Sequence, residues 1–329
     1  MTASRVCEAT DAEAGAAARR RRVLDDVRHG MTRTPRELPA KYFYDERGSH
    51  LFEQITRLPE YYLTRAEREI LEARAGEIVS VATPRVLIEL GAGSAAKTRI
   101  LLSAMQAATT EVVTYVPVDV SEEFLHQTRA ALTAENPALR VVPIVADIGI
   151  SLDVPDTGAG NRLFAFLGST IGNFDWMSAV ALLRRVRAQM RPGDRLLLGT
   201  DLRKSRDVLE AAYNDSAGVT AEFNRNMLSV LNRELGADFA PNHFSHRAIY
   251  DEEHHRIEMY LDAVRDHTVH VPGLAPILFR EGETIRTELS HKYDRAAVDE
   301  LAGAADLQIG AWFTDRADRF ALSMLEPSR

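Results

Sequence analysis

The hydrophobic pattern of the chain changes character more than once. Between residues 64 and 201, short apolar runs alternate with stretches whose apolar residues recur at helical spacing. Val86–Leu90, Val112–Val118, Val141–Val145, Leu163–Leu167 and Leu196–Leu198 read as buried strands. Thr64-Arg-Ala-Glu67 has the form of a capping box opening a helix to about Val79. Ile100–Ala107 continues a crossover helix, and Ser121 can cap another through Ala131. Ser178 can cap a helix with Val180, Leu183 and Val186 on one face, ended by Pro192-Gly193. Alternation of this length predicts a parallel, doubly wound sheet with right-handed crossovers.

After Asp201 the pattern breaks. Residues 202–240 read as one or two long helices, with Leu209, Tyr213, Phe223, Met227, Val230 and Leu231 as apolar positions. Residues 247–271 and 283–290 alternate apolar with polar, the period of half-buried strands. Leu307–Phe313 and Phe320–Leu325 flank a polar turn and read as a hairpin. Upstream, residues 19–30 look helical up to Gly30, while 1–18 bury little and are expected to be flexible. The sheet is thus expected to occupy 64–201 and 293–329. A smaller domain of 19–63 and 202–292 is expected over the carboxyl ends of its strands, the edge where such sheets bind ligands.

Composition narrows the partners. The chain has 329 residues, 45% hydrophobic and 27% charged, with a net charge of −8. That balance argues against a general nucleic-acid binder, which needs a basic face. A single cysteine, Cys7, supports neither a disulfide framework nor a thiolate metal site and fits a reducing, cytoplasmic setting. No apolar run has the length of a membrane span. The basic cluster Arg19–Arg22 leads into Val-Leu-Asp-Asp-Val rather than an apolar core, so it does not read as a signal peptide. His243-x-x-His246 and His254-His255 lack the spacing and partners of a metal site, and no metal is expected. Nothing suggests a coiled coil, so a monomer is the default.

The chemistry starts at Arg85-Val-Leu-Ile-Glu-Leu-Gly-Ala-Gly-Ser-Ala-Ala-Lys-Thr-Arg99. Strand, glycine turn and helix start make a nucleotide-binding corner, where Gly91 and Gly93 admit close backbone approach. A dehydrogenase and a methyltransferase can both use it. Glu89 before the loop, Asp119 ending the second strand, Asp147 ending the third and the closing hairpin favour the methyltransferase. Asp119 can take both ribose hydroxyls, and Asp147 suits an adenine amino group. The fold class is then α/β: a Rossmann-like class I methyltransferase sheet, parallel with a C-terminal antiparallel hairpin, plus a smaller α+β substrate domain.

Longer motifs are more specific. Tyr42-Phe-Tyr-Asp-Glu-Arg-Gly-Ser-His-Leu-Phe-Glu-Gln-Ile-Thr-Arg-Leu-Pro-Glu-Tyr-Tyr62, Phe166-Leu-Gly-Ser-Thr-Ile-Gly-Asn173, Leu198-Gly-Thr-Asp-Leu202, Tyr213-Asn-Asp-Ser-Ala-Gly-Val-Thr-Ala-Glu-Phe-Asn-Arg-Asn226, Arg256-Ile-Glu-Met259 and Ile285-Arg-Thr-Glu-Leu-Ser290 occur in order. Together they resemble the L-histidine Nα-methyltransferases of ergothioneine biosynthesis. The resemblance implies S-adenosylmethionine as cofactor and trimethylation of free histidine to hercynine. It implies that Tyr61, Asn173 and Tyr213 hold the substrate carboxylate, and that Glu288 and Ser290 grip the imidazole. It further implies Tyr44 and the Gly168 carbonyl near the amine, Met259 shaping the side-chain pocket, and Gly91, Lys97, Asp119 and Asp147 serving the cofactor. The loop Gly-Ala-Gly-Ser-Ala-Ala-Lys97 and the run Ala146-Asp147-Ile148 depart from the usual Gly-Ser-Gly-Thr-Ser-Glu-Lys and Gly-Asp-Phe.

Aromatic rings at Tyr44, Phe52 and Tyr61 can stabilise a methylated, permanently cationic nitrogen. Glu288 and Ser290, two apart on a strand, point to one face, and read as an acceptor pair they suit two ring nitrogens. Two alternatives follow from the same residues. One is Nα-methylation of another amino acid such as tryptophan or tyrosine. The other is a non-catalytic sensor of S-adenosylmethionine or an amino acid.

Overall fold

Pro84–Leu90 (β1) forms the middle of an eight-stranded sheet because nearly every side chain in it is buried, on both faces. The structure, a computed structural model, describes residues 3–328 except 94, 156 and 159; of residues 3–14 and 16 only the backbone is described. The other strands of the sheet are Thr114–Asp119 (β2), Arg140–Val141 (β3), Ile144–Val145 (β4), Asn161–Phe166 (β5), Arg195–Asp201 (β6), Leu307–Thr314 (β7) and Phe320–Pro327 (β8). Their order is β7-β8-β6-β5-β1-β2-β3, with β4 also on β2. The pairs among β1 to β6 are parallel. β8 runs antiparallel to β6 and to β7, so the expected hairpin completes the sheet. The order reverses between β1 and β5, which places the glycine loop after β1 at the switch point.

Alternate residues feed two cores. Leu87, Leu163 and Leu197 pack with Ile70, Leu71 and Ile78 of the helix Leu63–Ala82 on one face. Val86, Phe164 and Leu196 pack with Leu182, Leu183 and Leu301 on the other. Both faces are covered, as a parallel sheet requires.

Several local expectations are corrected. Residues 141–145 form two short strands rather than one, because Pro143 has no N–H to give the ladder. The helix Leu63–Ala82 begins before Thr64 and has no side-chain cap, so Thr64-x-x-Glu67 is not a capping box; Glu67 is fully buried instead. Trp176–Gln189 is capped not by Ser178 but by Asp175, which accepts the Ser178 N–H at 2.8 Å. Ser121 does cap Glu122–Glu135. The helix Arg295–Gly303, capped by Asp294, has only Val298, Leu301 and Ala302 buried, too weak a signal to read beforehand.

The chain divides into two compact units: Met1–Tyr61, Arg206–Asp251 and Ile257–Leu289 form one, and Tyr62–Ser205, Glu252–Arg256 and Ser290–Arg329 the other. The second unit carries the large sheet. The first contains a helix from Ala3 to Met31, longer at its start than the 19–30 read from sequence. The expectation of a flexible 1–18 falls partly outside the described residues. Val23 and Val27 of that helix are buried one turn apart. Arg206–Tyr213 and Val219–Leu235 are the two helices expected after Asp201. A four-stranded sheet has the order Arg36–Glu37, Thr284–His291, Arg256–Ala263, Phe244–Asp251. The segment following β6 is pinned where it leaves and returns. Leu202 bridges Tyr293, whose N–H donates to the Asp201 carbonyl at 2.9 Å, and the Arg203 N–H donates to the Tyr293 carbonyl at 2.8 Å.

Candidate active site

The glycine corner of the second unit is built by β1 and β2 together. Gly91 and Gly93 have φ of +68° and +47°, a left-handed backbone that glycine adopts without strain. The Gly91 N–H donates to the Val118 carbonyl at 2.8 Å, and the Gly93 N–H to Asp119 Oδ2 at 3.3 Å. A Cβ at either glycine would meet nothing within 4 Å, so the turn opens onto free space. Asp119 Oδ1 also takes the Ser121 N–H at 3.1 Å, fixing the carboxylate at the end of β2. In register beside Asp119 is Val145, and Asp147 follows two residues later. The Asp147 carboxylate takes the Gly149 N–H at 2.9 Å. Val120, Val145 and Ile150 expose apolar surface around these carboxylates. Carboxylates, open glycine backbone and apolar surface together fit a ribose with an attached flat ring.

Beneath the corner lies Glu89, buried, accepting from Thr98 Oγ1 at 2.5 Å and from the Tyr115 hydroxyl. Burial pushes its carboxyl up to about 7, against the pull of those two hydroxyl donors. Glu67 is the residue the sequence reading missed. It pairs with Lys97 Nζ and accepts the Gly168 N–H at 2.7 Å, joining two proposed site residues through one buried carboxylate. Its only sequence signal was misread as a cap.

Gly168 and Asn173 bracket a short turn after β5, containing the 3-10 segment Thr170–Asn173. Within it Gly172 packs against the chain at His291: a Cβ there would lie 2.8 Å from the His291 carbonyl oxygen and 3.6 Å from the Ser290 carbonyl carbon. This contact brings the Asn173 turn beside Ser290. Ser290 is buried and accepts from Lys292 Nζ at 2.7 Å. Lys292, itself buried, also pairs with Asp201 Oδ2 at 2.9 Å. Asp201 further takes Lys204 Nζ at 2.6 Å and the Tyr62 hydroxyl at 2.9 Å, while its N–H donates to Ser169 Oγ at 2.9 Å. Burial acts to raise the Asp201 carboxyl, but the ammonium groups of Lys292 and Lys204 hold it below the usual carboxylate range. Burial also draws Lys204 down to about 8.

The first unit gathers the aromatic candidates. The Tyr44 ring lies 5.7 Å from Phe52, Phe52 6.2 Å from Tyr61, and Tyr61 6.2 Å from Tyr213, each edge to face. Phe223 closes the group at 5.7 Å from Tyr44 and 6.0 Å from Phe52; the sequence marked it only as an apolar position. Tyr61 and Tyr213 are buried, whereas Tyr44 is 45% exposed. Asp45 sets this arrangement by capping Glu46–Ile55 through the Gly48 N–H and taking Asn226 Nδ2 at 2.8 Å. Glu60 accepts from Ser216 Oγ at 2.8 Å, tying the Tyr61 segment to the turn after Tyr213. Met259 is buried on a strand adjacent to that of Glu288, with the Thr287 hydroxyl donating to the Met259 carbonyl at 3.2 Å.

His243 and His246 make packing and hydrogen-bond contacts. His246 bonds the Tyr213 carbonyl and Asn224, and His243 packs edge-on against His267 at 5.0 Å. Among the described residues no group of three or more histidine, cysteine or carboxylate side chains could hold a metal ion.

Comparison with known proteins decides the family. Residues 23–327 match the family model of histidine-specific methyltransferases, SAM-dependent. The chain belongs to this family. It is 45% identical over 300 residues to a histidine N-alpha-methyltransferase of Mycobacterium tuberculosis, covering 91% of this chain and 93% of that protein. It is 44% identical over 301 residues to the histidine N-alpha-methyltransferase of Mycolicibacterium smegmatis, with the same coverage. It is 32% identical to ergothioneine biosynthesis protein 1 of Neurospora crassa over 90% of this chain but 34% of that longer protein. As a member of this methyltransferase family the chain is an S-adenosylmethionine-dependent enzyme, and the Gly91–Gly93 corner has the chemistry for that cofactor.

Proposed function

We propose that the protein methylates the α-amine of free L-histidine, using S-adenosylmethionine, in three successive transfers that yield hercynine for ergothioneine biosynthesis. The observation that carries this reading is the match of residues 23–327 to the histidine-specific family. When bound, S-adenosylmethionine supplies a methyl group on a positively charged sulfur.

The proposed cofactor residues are Gly91, Gly93, Lys97, Asp119 and Asp147. The proposed substrate residues are Tyr61, Asn173, Tyr213, Met259, Glu288 and Ser290. Tyr61, Tyr213 and Asn173 are neutral donors suited to a carboxylate; Glu288 and Ser290 suit an imidazole. Their main contribution is orientation, holding the amine lone pair in line with the methyl carbon. Each transfer forms one N–C bond as the S–C bond breaks, and the amine must shed a proton to solvent before each. Tyr44, which is half-exposed, is the proposed acceptor or water-positioning group for that proton. As methylation proceeds the nitrogen becomes a fixed cation with no N–H. Rings at Tyr44, Phe52 and Tyr61 and the Gly168 carbonyl tolerate it better than a site that demands a hydrogen bond. We read the enzyme as a cytoplasmic monomer.

The test is incubation with S-adenosylmethionine and histidine, tryptophan or tyrosine in turn, with products read by mass. Trimethylated histidine as the preferred product is expected. Preference for another amino acid, or no methylated product, overturns the assignment.

A further inference from the structure

Two runs of the sequence, Thr64-Arg-Ala-Glu67 and Leu198-Gly-Thr-Asp-Leu202, meet at one carboxylate. Glu67 is fully buried on the helix Leu63–Ala82. A Cβ at Gly199 of β6 would lie 2.5 Å from Glu67 Oε1, so glycine leaves room for that oxygen and alanine would push it aside. Oε1 takes the Gly168 N–H at 2.7 Å, and Oε2 pairs with Lys97 Nζ. The residue after Gly168 is held as firmly. Ser169 Oγ takes the Asp201 N–H at 2.9 Å, and the Ser169 carbonyl takes the Gly172 N–H at 2.9 Å. Gly168 itself has φ of +75°, and anchors on either side of it set the direction of its carbonyl. Lys97 Nζ would lie only 3.7 Å from a Cβ at Gly168, so ammonium and turn are neighbours.

We propose that Glu67 is a positioning residue with two separable duties: one oxygen aims the Gly168 carbonyl at the substrate amine, and the other holds Lys97 for the cofactor. This rests on the reading of Gly168 as an amine-side residue and Lys97 as a cofactor residue. The first duty acts unequally on successive transfers. A neutral primary amine carries two N–H bonds, a secondary amine one and a tertiary amine none. A carbonyl orients an amine by accepting N–H, so it aids the early transfers and has nothing to accept in the last. The second duty is electrostatic, since Glu67 supplies the charge opposite Lys97, and it acts on cofactor binding whatever the methylation state of the amine.

The test measures kcat at saturating S-adenosylmethionine on histidine and on Nα,Nα-dimethylhistidine, together with the Kd of demethylated cofactor. Gly199→Ala displaces Oε1 but keeps the charge. It is expected to lower the rate of the first transfer to histidine about tenfold, with the rate on dimethylhistidine and the cofactor Kd changed less than about twofold. Because the new methyl also meets the Phe320 ring at 3.3 Å, Glu67→Asp is made alongside it. The flexible Lys97 side chain can follow a shorter acid and the Gly168 backbone cannot, so the same selective loss is expected. Glu67→Gln keeps an acceptor for the Gly168 N–H but no charge. It is expected to raise the cofactor Kd about tenfold while the ratio of the two rates stays within about twofold of the wild type. Equal slowing of both substrates by Gly199→Ala and Glu67→Asp overturns the proposal, as does no slowing of either, or a cofactor Kd unmoved by Glu67→Gln. A wild type that methylates no amino acid overturns this proposal together with the proposed function. One that prefers another amino acid overturns the histidine assignment alone, and the comparison is then made with that amino acid and its dimethyl form.

Discussion

Single side chains carry the sharpest expectations. Glu288 is proposed to accept a charge-assisted hydrogen bond from the imidazole, so Glu288→Ala should weaken histidine binding by about 1.5–3 kcal/mol. Calorimetric titration with histidine in the presence of demethylated cofactor checks it, and unchanged affinity takes Glu288 out of the pocket. Glu89 makes a different claim, about pH. Burial lifts it to about 7, so the native chain holds the proton more tightly than the unfolded one. The stability from this proton is full below the ordinary glutamate range and is lost as pH rises through about 7. The complete loss is on the order of 3 kcal/mol. Urea unfolding across this range should show that fall in the wild type, and Glu89→Gln should flatten it. A slope unchanged by the substitution assigns it to other groups.

Elements were legible where their signals are local. The glycine loop, the strand end at Asp119 and the closing hairpin are written in short spacings, whereas Asp147 lies two residues beyond the short strand Ile144–Val145 rather than at its end. What escaped depends on distant partners. Glu67 reads as a capping residue by its distance from Thr64, yet its true partners are Lys97 and Gly168, far along the chain. Lys292 and Asp201 are likewise separated by the whole inserted segment, and no spacing rule joins them. Even caps can mislead, since Ser178 and Asp175 are both good cap residues three apart and only the backbone decides. Asp175→Ala should therefore cost about 1 kcal/mol and Ser178→Ala less than about 0.5, measured by urea unfolding. Equal costs would restore Ser178 as the cap. Glu67→Gln keeps an acceptor for the Gly168 N–H but loses the charge opposite Lys97. It should cost about 1–3 kcal/mol in stability and weaken binding of demethylated cofactor. Unchanged cofactor affinity would confine Glu67 to a structural role.

At the level of the whole chain, ligand binding and stability are linked. Demethylated cofactor at about 100 times its Kd should stabilise the unit it binds by about 2.7 kcal/mol. Scanning calorimetry should show a transition moving upward with cofactor concentration, and a trace indifferent to cofactor would contradict binding to the folded chain. Among the described residues no helix is long and apolar enough to cross a membrane. The net charge of −8 leaves a weak field for nucleic acids, so no mobility shift with DNA is expected.

The seam at Leu202 and Tyr293 has a consequence for how such an enzyme can diversify. The departing and returning strands are stitched together before the intervening residues do anything, so the cofactor sheet experiences the insert as a loop whose ends already touch. Doubling the length of such a loop costs only about 0.6 kcal/mol in closure entropy. Surface loops of the insert can therefore lengthen or shorten between those two stitches while the large sheet keeps its register, provided the contacts of His291 and Lys292 with that sheet's loops are kept. On the proposed placement of substrate residues in that segment, new amino-acid preferences would arise as edits to a cassette rather than as redesigns of the fold.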